Sequence, residues 1–69
     1  MLKGNHLSLN AMDKILRLAG APRVSDDAKD ALAEILQKKG LEIAVAAAKM
    51  ATHAGRRTVT KKDIELVTL

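Results

Sequence analysis

At 69 residues and with no cysteine, the chain cannot carry a disulfide framework and is short for a self-sufficient core, so part of its stability is expected from a second chain. Twelve Lys and Arg against eight Asp and Glu give a net charge of +4, which favours a polyanionic partner. There is no Phe, Trp or Tyr, so the core must be aliphatic and no aromatic platform exists for stacking single-stranded bases.

The first helix is predicted in "SLNAMDKILRLAG". Leu9, Met12, Ile15, Leu16 and Ala19 recur at helical spacing, Ser8 stands as N-cap, Gly20 as stop, and Pro22 prevents continuation. Residues 1–7 are expected to form a flexible N-terminal segment and residues 8–69 the folded domain. No apolar run reaches the length of a membrane span and "MLKGNHLSLN" lacks the apolar stretch of a secretory signal, so a cytoplasmic protein is expected.

A second helix is predicted to open at "SDDA", with Ser25 capping and Asp26 and Asp27 at the positive helix end, and to run to His53 before Gly55. About 28 residues at 1.5 Å each make a rod of roughly 42 Å. A compact globule of this chain length has a diameter near about 28 Å. The short helices on either side cannot cover both halves of such a rod, and the simplest closed arrangement crosses it with the long helix of a second chain. Gly40, near the middle of the helix, costs about 1 kcal/mol relative to alanine and is explained by a close crossing there. The third helix is predicted at "TKKDIEL", where Thr60 caps and Asp63 reaches back from the third position.

Each interhelix linker, "GAPRVS" and "GRRTVT", pairs arginine with a β-branched valine and ends on a hydroxyl N-cap. In a crossed dimer the first linker of one chain lies beside the second of the other, their valines forming a short parallel strand contact. Arg23, Arg56 and Arg57 then gather at each end of the dimer, and Lys14 and Arg17 share a face of the first helix between those ends. Arginine forks and loop N–H groups suit phosphate. Arg56 has a second role open to it, bracing the loop against Asp63. His53 sits near a helix C-terminus and His6 in the N-terminal segment; they form neither a metal site nor a base and nucleophile pair. No enzyme, cofactor, metal or small-molecule substrate is expected.

The string "RVSDDAKDALAEIL", the stretch "AAKMATHAGRRTVTKKDIEL" and the three-helix punctuation resemble an archaeal histone. The resemblance covers Leu9 to Leu69. It implies an all-α histone fold of short, long and short helices forming an intertwined handshake homodimer, which binds double-stranded DNA with little sequence preference and bends or compacts it at the chromosome. It implies DNA contact by Lys14, Arg17, Arg23, Arg57 and Thr58, an ion pair between Arg56 and Asp63, and dimer stacking through Met50, His53, Asp63 and Leu66. The alternative is a histone-fold interaction module that assembles with other histone-fold proteins. The sequence departs from the family in "MLKGNHLS", in ending at Leu69 where many members continue with a basic tail, and in Lys39 near the core-facing side of the long helix. It departs also at Leu41, Val45, Ala48 and Thr52, a small or apolar outward stripe where members commonly carry polar residues. That stripe is a second candidate surface for joining dimers into a tetramer.

Overall fold

The computed structural model describes residues 7–69 and contains three helices in the order short, long, short. They are α1 (Leu9–Leu18), α2 (Asp26–His53) and α3 (Lys61–Val67). The segment expected to be flexible lies, apart from Leu7, outside the described residues.

Local chemistry sets each boundary. The Ser8 hydroxyl accepts from the Ala11 N–H at 3.3 Å and the Ser25 hydroxyl from the Ala28 N–H at 3.1 Å, each satisfying an N–H that the first helical turn leaves without a carbonyl. Thr60 and Asp63 form a reciprocal capping box at the start of α3. The first two helices end in the same way. Gly20 takes φ 108° and Gly55 φ 75°, conformations that a side chain would strain. Each lets the following N–H turn back five residues, Ala21 to the Leu16 carbonyl at 3.1 Å and Arg56 to the Ala51 carbonyl at 2.9 Å.

The chain divides into two compact units, residues 1–38 and 39–69, so that α2 contributes its first part to one and the remainder to the other. In the first unit Met12 and Ala33 are buried, and Leu32 and Leu16 are half-buried. In the second the buried residues are Ala47, Ala51 and Asp63, with Ile43, Met50 and Val67 half-buried. Small side chains and one methionine thus make up the buried apolar set, while Ile15, Ile35, Leu36, Val59 and Ile64 remain exposed. Large aliphatic groups left in water are the surface that a second chain would bury, each worth about 1.5–3 kcal/mol when fully covered.

Gly40 lies within the unbroken α2, and a Cβ built on it meets nothing within 4 Å. Nothing in a single chain therefore requires glycine there. Lys39 pairs with Glu42 at 3.8 Å, both side chains well exposed. The melting temperature is expected to rise with protein concentration, as it does wherever folding and association are linked. Gly40→Ala is expected to lower it by crowding the helix crossing. Thermal melts at several concentrations check both, and a rise on Gly40→Ala, the ordinary gain in helix propensity, would remove the crossing from that position.

Candidate nucleic-acid interface

The second interhelix loop is organised by one carboxylate. Asp63 is 2% exposed and accepts from both arms of the Arg56 guanidinium, Nη1 to Oδ2 at 2.9 Å and Nη2 to Oδ1 at 2.8 Å. It also accepts from the Thr60 N–H at 2.8 Å. Arg56 Nη1 reaches the Thr58 carbonyl as well, at 3.0 Å. A planar fork closing on a planar carboxylate fixes direction as well as distance. The Arg56 hydrogen bonds, then that of the Thr60 N–H, hold the Asp63 carboxyl far below the ordinary carboxylate range, and the same pairing raises Arg56 above its usual value.

With Arg56 turned onto Asp63, its neighbour Arg57 is exposed and makes no hydrogen bond or ion pair with any described residue. Thr58 is exposed beside it. In the first unit Arg23 is likewise exposed without a polar partner among the described residues, as is Lys14. Lys14, Arg17 and Leu18 line a shallow open groove of about 330 Å³.

Arg17 is more constrained than its place in the sequence suggests. Its Nε donates to Asp13 Oδ2 at 2.9 Å, one turn earlier, and its Nη1 to the Pro22 carbonyl at 3.3 Å. Lys29 on α2 stands 3.9 Å from Asp13 Oδ1 and 3.4 Å from Asp26. Asp13 Oδ1 is buried without a hydrogen bond, so at that distance Lys29 serves it as a neighbouring charge rather than as a donor. Asp13 and Lys29 did not emerge from the sequence as site residues. The four-residue spacing of Asp13 and Arg17 was the signal available; the link to Lys29 depends on how α1 meets α2.

Of the residues implied in dimer stacking, His53 is exposed, Leu66 is 46% exposed and Met50 is half-buried, whereas Asp63 presents almost no surface. Leu41, Val45, Ala48 and Thr52 are all exposed. Among the described residues no group of three or more His, Cys, Asp or Glu is placed to hold a metal ion, and no helix is long and apolar enough to cross a membrane.

Short, long and short helices, with unpartnered arginines on the loops between them, are the outline of a histone-fold, DNA-binding architectural protein. The chain belongs to the family of histone-like transcription factors (CBF/NF-Y) and archaeal histones, whose profile it matches over residues 5–67. It is 45% identical over 60 residues to a subunit of the archaeal histone HAN1 of Thermococcus zilligii, covering 87% of this chain and 90% of that one. It is 44% identical over 52 residues to probable archaeal histone 3 of Methanocaldococcus jannaschii, covering 75% and 78%.

Asp63→Asn is expected to lower the melting temperature by several degrees at neutral pH. The folded-state carboxyl titrates below its ordinary 3.8, so the pair's contribution is complete well above that pH and is lost as pH falls through the lower folded-state value. The gap between the parent and Asp63→Asn should therefore stay constant from pH 8 to about 5 and close in more acid solution. Paired melts across that range check it; a gap that closes above pH 5 would mean that Asp63 is not held by Arg56 in solution.

Proposed function

We propose that the chain acts as a homodimer, with residues 8–69 as its histone-fold domain, that binds duplex DNA with little sequence preference and bends it along a curved basic face at the chromosome. The observation that carries this reading is the division of labour in "GRRT". Arg56 is spent on Asp63, and the brace leaves Arg57 presented to solvent beside the Thr58 hydroxyl. Arg57 and Thr58 of one chain, with Arg23 of the other, make a phosphate-binding end. Lys14 and Arg17 of the two first helices make the zone between the ends. Arg56 adds positive potential there, although its charge is balanced by Asp63. The three zones together neutralise the backbone of a duplex bent along them, and selectivity then arises from how readily a sequence bends.

A second reading is favoured by one relative's name, which describes it as one subunit of an assembly. Pairing here would be with a different histone-fold chain, through the same exposed aliphatic residues. The isolated chain would then lack the concentration-dependent melting expected of the homodimer.

Four cations per chain, Lys14, Arg17, Arg23 and Arg57, give eight per dimer. At about −0.9 per phosphate neutralised, the slope of log affinity against log salt should approach about −7. Arg57→Ala removes two of the eight and should make the slope shallower by about 1.8, to the same extent on unrelated duplexes. A fluorescence-anisotropy titration over salt concentration checks this, and an unchanged slope removes Arg57 from the DNA face.

A further inference from the structure

One sector of α2 changes character along its length. At about 100° per residue, Asp27, Asp30, Glu34, Lys38, Leu41, Val45, Ala48 and Thr52 fall within about 80° of one another, and all eight are exposed. The first four are charged and the last four are not. A stripe chosen only for helix propensity has no reason to lose its charges at Leu41, since lysine and glutamate serve a helix almost as well as alanine. Leu41 is 39% and Val45 47% exposed, and this sector lies nearly opposite Leu32, Ile43, Ala47 and Met50, where the homodimer proposed above would place the partner's long helix. That dimer would therefore leave the sector in water.

We infer that this stripe is where one dimer meets another, two α2 helices packing antiparallel about Val45, with a tetramer as the first product. The inference rests on the homodimer proposed above. Charge complementarity selects a second copy as the occupant. Glu42 and Lys49 flank the stripe on one side, three residues before Val45 and four after it, and both are exposed. Antiparallel packing sets Glu42 of each helix, held among the described residues of its own chain only by the long exposed contact with Lys39, opposite Lys49 of the other, giving two ion pairs, while parallel packing carries the two flanks to opposite sides of the contact and gives none. Ala48 and Thr52 are small enough to let the backbones approach, and Leu41 and Val45 supply the apolar area.

The contact governs what a bound duplex can do. It is made by the outer side of α2 at residues 41–52, and Arg57 and Thr58 belong to the loop that follows the helix, so joined dimers keep those residues available. Two dimers held this way present separate DNA faces, an arrangement suited to bridging duplexes.

The test is molar mass by light scattering of the full chain without DNA, over rising concentration. The parent is expected to exceed the dimer mass and Val45→Glu to stop at the dimer. Glu42→Lys or Lys49→Glu alone should raise the dissociation constant between dimers about tenfold, each turning two attractive pairs repulsive. The two reversals together should restore the parent's association. Val45→Glu dimers should bind duplex as the parent does; loss of duplex binding by every protein would instead sink the DNA reading and leave the masses to stand. A parent that remains a dimer overturns the inference, as does a Val45→Glu that keeps the parent's mass, or loss of the higher mass on His53→Ala with Leu66→Ala alone. Should Val45→Glu lose its helicity, the exposed charge variants decide, and failure of the double reversal to restore association overturns the inference.

Discussion

The buried carboxylate of Asp63 is the constraint on which the second half of the chain depends. An acidic side chain that is 2% exposed is tolerable only when its charge and lone pairs are answered, and here a forked guanidinium and a backbone N–H answer them. The same three hydrogen bonds cap α3, tie the loop to it and fix the direction of the Arg56 guanidinium. Arg57 beside it is exposed without a polar partner among the described residues. An arginine held by a carboxylate and one without a polar partner among the described residues are thus neighbours in the chain.

The other organising limit is the length of α2. A helix of 28 residues flanked by one of 10 and one of 7 leaves large aliphatic side chains in water along its course. The handshake of the histone fold resolves this by giving each long helix a second one to cross. In the homodimer proposed above, interface and core would be the same surface, which would make association a condition of folding rather than a later event. The basic zones of that homodimer would be composite for the same reason, Arg23 of one chain completing the end that Arg57 of the other begins.

Much of this was legible in the sequence because it is local. Ser8, Ser25 and Thr60 announce helix starts, Gly20 and Gly55 announce ends, and the capping box of Thr60 and Asp63 needs only a spacing of three. The pairing of Arg56 with Asp63 was legible as a possibility, but not that three donors would occupy the carboxylate. The cluster of Asp13, Arg17 and Lys29 was not read, since it depends on where α1 meets α2, and periodicity specifies a face without its neighbour. Arg17 is accordingly a positioned cation tied to Asp13 and Pro22, which the face it shares with Lys14 did not reveal.

The division between Arg56 and Arg57 can be observed directly by following the arginine Nε–Hε resonances of the ¹⁵N-labelled protein as duplex DNA is added. The Arg57 and Arg23 signals should shift and broaden with salt-sensitive affinity, while the Arg56 signal, held by Asp63, stays close to its position in the free protein. Movement of Arg56 with Arg57 unperturbed would contradict the assignment of brace and contact.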